Sequence, residues 1–277
     1  GQWEMRQEDG KVILAIKNTY RGKSGFDFET TIEYTVAADG SILVNSTIIP
    51  AMNGEIIPRV GYRLELPEGF ERMRWFGCGP FENYVDRKDA SYVGIYDDQV
   101  SNKWLNYIRS QEMGNHEDVR WISITNPNGV GFVFVAGDKM SATALHARAQ
   151  DMVDPNDLRK LHHRYEVPVR KETVLCLDAA TRPLGNASCG PGPMRKYELF
   201  SQPTVFSFMM LPLERSYLKD ELAKKARVRM PVSMPVLIER DNDGYLNLKT
   251  STPGAKIYYS LNGEKYKEYT GAIELIS

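Results

Sequence analysis

The residues with the clearest chemical potential lie between Gly77 and Arg87, in the sequence GCGPFENYVDR. Glu82 and Asp86 are two carboxylates that could act as a general acid and base, and the aromatic side chains beside them could contact a sugar. The same groups could instead form a buried network in which Glu82, Asp86 and Arg87 satisfy one another, because buried polar groups need partners. We favour this second interpretation, a structural corner of a β protein that begins with a glycine-proline turn.

Short β-strands are the elements that would hold this stretch in place. Residues 31–36 alternate polar and apolar side chains, residues 38–41 read as a turn, and residues 42–49 read as the return strand. Two apolar runs, at residues 131–136 and 205–210, are typical of buried strands. Because long amphipathic helical patterns are missing, the sequence predicts an all-β protein of packed antiparallel sheets.

Only two segments have helical character. Residues 151–158 could begin a short helical turn, and residues 216–227, SYLKDELAKKAR, combine good helix formers with a basic end. The second segment could cover a sheet edge or link two domains. We therefore predict a large domain at residues 1–216, a partly helical linker at residues 217–234 and a small module at residues 235–277.

The composition argues against several classes of protein. The 35 Lys and Arg residues nearly balance the 36 Asp and Glu residues, whereas a nucleic-acid-binding protein needs a concentrated cationic surface. No apolar run approaches the roughly 20 residues of a membrane helix. We therefore expect neither nucleic acid nor a membrane among the partners of this chain.

The cysteines and histidines show no metal-ligand spacing. Cys78, Cys176 and Cys189 form an odd and widely spaced set, which fits neither a disulfide framework nor a zinc site. His162 and His163 are adjacent, so in a strand their side chains would point to opposite faces. We expect no metal site built from these residues.

Residues 77–96 follow the pattern GxGPxExYxDRxxxxxxGxY, which resembles the signature of the C-terminal small-chain domain of β-galactosidases of glycoside hydrolase family two. The structural residues of this signature are Gly77, Gly79, Pro80, Glu82, Tyr84, Asp86 and Arg87. Further matches occur in the order of that domain at residues 57–61, 107–116, 118–121, 162–165, 177–178 and 184–193. The similarity extends over roughly residues 28–213.

The resemblance implies a large antiparallel β-supersandwich of the galactose mutarotase type, belonging to a retaining enzyme that hydrolyses terminal β-D-galactosides. Retaining hydrolysis needs two carboxyl groups about 5–5.5 Å apart on either side of the scissile bond. In that family both lie on a (β/α)₈ barrel, and this sequence has no βαβ alternation. We therefore expect no catalytic residue here, and a chain that completes one wall of the active-site cleft and packs against other domains.

The resemblance also bears on cofactors and location. It implies Mg or Na for the parent protein and no cofactor for this chain. The sequence contains no signal peptide, and Gly1 opens directly on strand-forming residues, so we interpret the chain as a piece of a larger protein. The cellular location is left open, although an extracytoplasmic place would suit an enzyme that degrades polysaccharides.

One loop is expected to face the active site of the parent protein. In the family, the stretch GGxxSWSP carries a tryptophan that stacks on the sugar, as aromatic faces suit the apolar face of galactose. This chain has Gly185-Asn186-Ala187-Ser188-Cys189-Gly190-Pro191 instead, which puts Cys189 at the tryptophan position. The resemblance makes Asn186, Ser188 and Cys189 the candidate substrate-binding residues, and the cysteine indicates a different substrate preference.

A second group of candidates for sugar binding is His116, Arg120 and Trp121, which combine hydrogen-bond donors with aromatic surface. Two alternatives to a β-galactosidase fragment remain open. A stand-alone carbohydrate-binding module would bind sugar through a groove lined with Trp or Tyr. A mutarotase-like epimerising enzyme would present a histidine and a carboxylate to a concave pocket.

The C-terminal residues carry a separate resemblance. The pattern GAxIYYxxxG at residues 254–263 is similar to the small immunoglobulin-like module at the C-termini of chitobiases and other glycosidases. We therefore expect a small immunoglobulin-like β-sandwich after the large domain. The other interpretation is an ordinary hairpin with aromatic cross-strand packing.

Overall fold

The computed structural model of the chain describes residues 1–22, 25–186, 190–227, 236–250, 254–261 and 267–274, leaving aside the side chains of residues 158 and 159. The strands are β1 (Gln2–Glu8), β2 (Lys11–Tyr20), β3 (Phe28–Val36), β4 (Ile42–Pro50), β5 (Arg59–Leu66), β6 (Arg72–Gly79), β7 (Tyr92–Gln99), β8 (His116–Thr125), β9 (Val130–Leu145), β10 (Val153–Asp154), β11 (Asp157–Leu161), β12 (Thr173–Thr181), β13 (Thr204–Glu214), β14 (Leu237–Arg240), β15 (Leu246–Lys249), β16 (Tyr258–Tyr259) and β17 (Lys267–Glu268). The helical segments are α1 (Lys219–Lys225) and the 3₁₀ turns Val100–Lys103, Ala149–Met152, Arg164–Glu166 and Arg195–Tyr197. The predicted all-β class is confirmed.

One antiparallel sheet contains eleven of the described strands, in the order β1-β2-β3-β4-β13-β9-β8-β6-β7, with β12 pairing with both β9 and β5. The first half of β9 pairs with β13 and its last five residues pair with β12. This 16-residue strand therefore connects the two sides of the sheet, which wraps around a shared core. The strands predicted from alternation are β3 and β4, and the two apolar runs lie in β9 and β13.

The core collects large side chains from strands on both sides of the sheet. Trp75, Ile122, Phe134, Phe208 and Leu175 are all buried in one cluster. Each such side chain contributes about 1.5–3 kcal/mol when it is fully removed from water. The alternation seen in the sequence follows from this packing, because only every second residue of a strand faces the core.

Strand β12 separates the core from the surface that carries the candidate site. Leu175 and Leu177 point into the core, where neither has solvent-accessible surface. The alternate residues Val174, Cys176 and Asp178 line a cavity on the opposite face. The period of two along this strand therefore decides which of its side chains can meet a ligand.

The helix α1 forms inside the predicted segment and packs on a face of the sheet. The side chain of Glu221 accepts a hydrogen bond from the backbone N–H of Leu218 at 2.9 Å, which caps the first turn. Leu222 and Ala226 are buried with Trp121 and their neighbours on β8, β9 and β13. The helix thus covers a sheet face, whereas the sequence indicated a sheet edge or a linker.

Replacement of Leu222 by Ala tests this packing. We expect Leu222→Ala to lower the free energy of unfolding by about 2–3 kcal/mol, because it leaves a cavity between α1 and the sheet. Leu218, which is 73% exposed, is the matched control, and Leu218→Ala should change stability by no more than about 0.5 kcal/mol. Urea unfolding followed by circular dichroism measures both. Equal losses in the two variants would contradict the packing of α1 on the sheet.

The segment predicted to begin a helical turn at residues 151–158 behaves differently. A 3₁₀ turn ends at Met152, and the chain then forms the two-stranded ribbon β10–β11. Asp154 accepts a hydrogen bond from the backbone N–H of Asn156 at 2.8 Å, so the Asp-Pro-Asn sequence makes the turn of a hairpin. This local side-chain bond favours a turn over the continuation of a helix.

The C-terminal residues form short antiparallel pairs. Strand β14 pairs with β15, β16 pairs with β17, and a bridge joins Leu246 to Ile273. The rings of Tyr259 and Tyr269 meet edge to face with centroids 6.3 Å apart. Residues 228–235 lie outside the described part, so the boundaries of the three predicted segments and the immunoglobulin-like nature of the last one stay predictions.

Candidate functional site

The signature stretch leaves the sheet at the end of β6 through a cis peptide bond between Gly79 and Pro80. Glu82 then accepts hydrogen bonds from the guanidinium of Arg87 at 2.5 Å and from the hydroxyl of Tyr107. Its other oxygen accepts the backbone N–H of Gly114 at 2.8 Å. Glu82 is therefore a structural carboxylate that ties this stretch to residues 107–114.

Asp86 departs from the predicted mutual network. Within the described part of the chain, its carboxylate makes no hydrogen bond and no ion pair. It lines a cavity of about 390 Å³ together with Tyr84 and Arg87. Of the three residues predicted to satisfy one another, Glu82 and Arg87 are hydrogen-bonded to each other. The carboxylate oxygens of Asp86 take no part in that network.

Paired asparagines fix the same stretch to β8. The backbone N–H of Asn83 donates to the carbonyl of Asn115, and the Asn115 side chain donates back to the carbonyl of Asn83, both at 2.8 Å. The Asn83 side chain accepts the N–H of Glu117 at 2.7 Å and donates to the carbonyl of Phe81 at 2.8 Å. Both asparagines are fully buried, so this exchange sets the position of the signature residues.

Tyr84 lies beneath the guanidinium of Arg87, whose central carbon is 5.2 Å from the ring centroid. The side chain is buried, and its hydroxyl has no hydrogen-bond partner in the part of the chain that the structure describes. Burial raises the pKa of this phenol well above its usual value, and the nearby carboxylates of Glu112 and Glu82 act in the same direction. Tyr84 is thus an uncharged hydroxyl in need of a partner.

A larger cavity of about 1110 Å³ lies on the outer face of β5, β9 and β12. Arg59 joins two carboxylates there, with Nη2 2.6 Å from Oδ2 of Asp178 and Nη1 3.3 Å from Oε2 of Glu112. The hydroxyl of Thr143 donates to Glu112 over 3.5 Å. Gly61 faces Asp178 so closely that an added Cβ would lie 2.3 Å from Oδ1, which explains a glycine at this position.

Burial and charge act in opposite directions on this group of ions. Burial raises the pKa of Asp178 and of Glu112, and the Arg59 guanidinium opposes the rise in both cases. Burial acts to lower the pKa of Arg59, but the two carboxylates outweigh it and raise the pKa. Burial also raises the pKa of the Cys176 thiol to about 11, so this cysteine is a neutral wall of the cavity.

The expected active-site loop meets the signature residues at the smaller cavity. Gly185, Asn186, Gly190 and Pro191 line it alongside Tyr84, Asp86 and Arg87. The backbone N–H of Asn186 donates to the carbonyl of Pro191 at 3.0 Å, which closes the loop. Asn186 is exposed, whereas Ser188 and Cys189 lie outside the described residues.

The structure separates the second group of candidates from both cavities. His116 is fully buried, with its ring centroid 4.1 Å from that of Trp75 and Nδ1 3.2 Å from the carbonyl oxygen of Cys78. Trp121 is 4% exposed and lies under α1. Arg120 is half-buried and lies over Phe76. None of these three lines either cavity, because β8 turns them toward the core or toward the helix.

The environment of His116 predicts an unusual titration. Burial lowers its pKa to about 3, and Lys103 adds to the effect. In the unfolded chain His116 becomes protonated near pH 6.5, whereas in the folded chain it stays neutral until about pH 3. The free energy of unfolding should therefore fall as the pH drops from about 6.5 toward about 3. We expect the His116 ring signals to stay fixed between about pH 8 and pH 5 in an NMR titration, with assignment from His116→Gln. A midpoint near 6.5 would contradict this burial.

Sequence reasoning missed the ion group formed by Arg59, Glu112 and Asp178. Each residue falls within a separate short match to the family, but no role follows from any one of them. The one feature that could have indicated the ion group is that each residue is ionisable and lies in a motif with the pattern of a strand or a turn. Only the pairing of β5 with β12, and the return of residues 107–112, brings them together.

The predictions about metal ions and membranes can be compared with the described residues. These contain no group of three or more His, Cys, Asp or Glu side chains that could hold a metal ion. No described helix has the length and apolar character to cross a membrane.

The fold and the site define an all-β sandwich domain with a cavity on one sheet face that contains the ion group, and a Gly/Pro-containing loop beside it. Residues 2–210 match the family described as beta galactosidase small chain, and the chain belongs to that family. The match begins before residue 28, where the similarity seen in the sequence begins, and so includes the hairpin of β1 and β2.

Several beta-galactosidases are similar to this chain. One from Arthrobacter sp. (strain B7) is 33% identical over 183 residues, which cover 64% of this chain and 18% of that relative. One from Actinobacillus pleuropneumoniae is 26% identical over 212 residues, covering 76% of this chain and 20% of the relative. The matched part thus spans at most 20% of the length of these relatives.

Proposed function

We propose that this chain is a non-catalytic C-terminal part of a retaining β-galactosidase and that it contributes the loop at residues 185–193 to the wall of the active site. Membership of the family supports the proposal. The observation that carries it is the smaller cavity, where the described ends of the loop meet the signature residues Tyr84, Asp86 and Arg87. A loop buried under its own sheet could not face another domain, and Asn186 is exposed.

The state of the carboxylates supports a non-catalytic role. A retaining glycosidase needs one carboxyl group that can donate a proton and a second that can attack the sugar. Glu82 is held by three donors, and Asp178 is bound by both Nε and Nη2 of Arg59. These bonds give both carboxylates structural partners within the chain.

The loop supplies polar groups and a compact wall. The Asn186 amide can donate to and accept from sugar hydroxyls. Cys189 at the tryptophan position of the family removes the stacking platform, since a thiol is a small apolar surface. We infer that the parent protein relies on other residues to hold the galactoside from this side.

The experiment compares hydrolysis of a chromogenic β-galactoside by this 277-residue chain and by the longer polypeptide that contains it. We expect no hydrolysis above buffer by the chain alone and turnover by the longer polypeptide. In the latter, Asn186→Ala should raise KM, whereas Asn102→Ala, on the 3₁₀ turn after β7, should not. Hydrolysis by the chain alone would overturn the proposed role.

The mutarotase-like alternative has less support. It requires a histidine and a carboxylate facing a concave pocket, and the described residues that line the larger cavity include no histidine. The histidine nearest a carboxylate is His146, 2.6 Å from Glu71, and this pair does not line the cavity. Polarimetry with fresh α-galactose tests the alternative directly, since acceleration over buffer would establish it.

A further inference from the structure

We propose that the larger cavity binds an anion with an apolar body, of the class of alkyl carboxylates and aryl sulfonates, and holds its charged group with Arg63 and Arg109. The cavity has a volume of about 1110 Å³ and lies on the outer face of β5, β9 and β12. Sites for small molecules usually measure roughly 300–1,000 Å³, so a ligand of this class has room. The inference goes beyond the proposed function and does not depend on it.

Two of the guanidinium groups that line this cavity lack a carboxylate of their own. Arg63 donates a hydrogen bond of 2.8 Å to the uncharged side chain of Gln150. Glu65 is 3.9 Å from Arg63 and already receives two hydrogen bonds from Arg148. Arg109 is exposed and makes no hydrogen bond or ion pair within the part of the chain that the structure describes. The cavity therefore presents positive charge that attracts an anion.

A series of backbone contacts puts these two arginines at the same end of the cavity. Arg63 reaches the 3₁₀ turn that precedes β10. The carbonyl of Met152, the last residue of that turn, accepts the N–H of His162 at 2.8 Å. The carbonyl of His162 accepts the N–H of Ser110, the neighbour of Arg109, at 3.0 Å. Both side chains thus start from the base of the ribbon β10–β11, where one anionic group can meet them.

The carboxylates of the cavity belong to the ion group around Arg59. Asp178 is 2.6 Å and Glu112 is 3.3 Å from this guanidinium. Arg59 and Arg63 lie on the same face of β5, and four residues of a strand span about 13 Å. That distance exceeds the screening length of about 8 Å at physiological salt. The charge of the ion group therefore does little to oppose an anion beside Arg63.

Apolar side chains form the wall beside the two arginines. Val153 and Leu161 pair across the ribbon and are half-buried, and Ile108, which precedes Arg109, is 87% exposed. Three further apolar residues line the same cavity: Leu145, Met152 and Val174. An inorganic anion would leave this wall in water, and an uncharged apolar molecule would leave the guanidiniums without a partner. A ligand that is both anionic and apolar satisfies both.

Titration of the 277-residue chain with 8-anilinonaphthalene-1-sulfonate, whose fluorescence rises in apolar surroundings, tests the inference. We expect saturable binding that decanoate displaces and uncharged 1-decanol does not. Arg109→Ala and Arg63→Met should each weaken binding of the sulfonate by about tenfold, because each removes a charge-assisted contact. Both arginines are largely exposed, so the variants should fold.

Arg21→Ala is the matched control, since Arg21 is exposed after β2 and does not line the cavity. Methyl NMR signals of Met152 and Val174 should shift on binding of the probe. The inference is overturned by a lack of saturable binding, by equal weakening in Arg21→Ala, by displacement with 1-decanol, or by shifts confined to the exposed Trp3 and Met5 of β1. Binding by the chain but not by the longer polypeptide would show that another domain fills the cavity, which also overturns it.

Discussion

Arg59→Met should lower the free energy of unfolding by about 3–5 kcal/mol at neutral pH, because removal of one partner leaves a buried charge uncompensated. The side chain of Asp178 is 2% exposed and receives two bonds from this guanidinium. Glu112 loses an ion-pair partner as well, so two carboxylates would face each other without a cation. Urea unfolding at pH 7 measures the loss.

The loss should also depend on pH. In the variant the guanidinium no longer opposes the rise in the pKa of Asp178 that burial causes, and only the hydrogen bond from Thr181 still acts against it. The folded chain therefore binds a proton more tightly than the unfolded chain. Stability of Arg59→Met should therefore recover as the pH falls through the folded-state pKa. Arg63→Met is the control on the same strand: Arg63 is 44% exposed, and we expect a change below about 1 kcal/mol. A loss that stays constant from pH 7 down to about pH 4, the usual range of an Asp carboxyl, would contradict the ion-pair explanation.

Asn83→Ala should cost about 1–3 kcal/mol, because it leaves the part-buried backbone N–H of Glu117 without its acceptor. The N–H of Glu117 loses an acceptor at 2.7 Å, and the carbonyl of Phe81 loses a donor at 2.8 Å. We also expect faster amide hydrogen exchange at Glu117, since its N–H then has no protein acceptor from Asn83. Unfolding in urea and exchange by NMR report the two effects separately.

Asn102→Ala is the control for this change. Asn102 is exposed and its side chain donates one hydrogen bond, to Asp98 at 2.8 Å, so its loss should change stability by no more than about 0.5 kcal/mol. Unchanged exchange at Glu117 in Asn83→Ala would show that the asparagine does not hold β8 to the signature stretch.

Much of the fold was accessible from local patterns. The alternation at residues 31–36 and 42–49 gave β3 and β4 because a half-buried strand must alternate, whatever its partner. The run of good helix formers at residues 216–227 predicted α1. The position of this helix on a sheet face depends on the contact of Leu222 and Ala226 with Trp121. The helical turn predicted at residues 151–158 is replaced by a hairpin for a local reason. Asp154 accepts a hydrogen bond from the backbone N–H of Asn156, which favours a hairpin turn over a helix.

The candidate site was accessible only in part. The motif at residues 77–87 identified Glu82 and Arg87 as structural partners, and their bond in the structure agrees. His116 and Trp121 were chosen for their chemistry alone, and chemistry does not reveal which face of β8 a side chain occupies. Both are buried, because Trp75 packs against His116 and α1 covers Trp121.

The sequence by itself determined the all-β class, the family and the corner at residues 77–87, since these rest on local periodicity and on ordered motifs. Tertiary structure alone decided that Arg59, Glu112 and Asp178 form one ion group, and that the ends of the loop at residues 185–191 join Tyr84 and Asp86. The residues of the ion group are 53 and 119 positions apart, and no local pattern encodes such separations. They meet because antiparallel pairing sets the register of β5 against β12, and the register decides which side chains share a face.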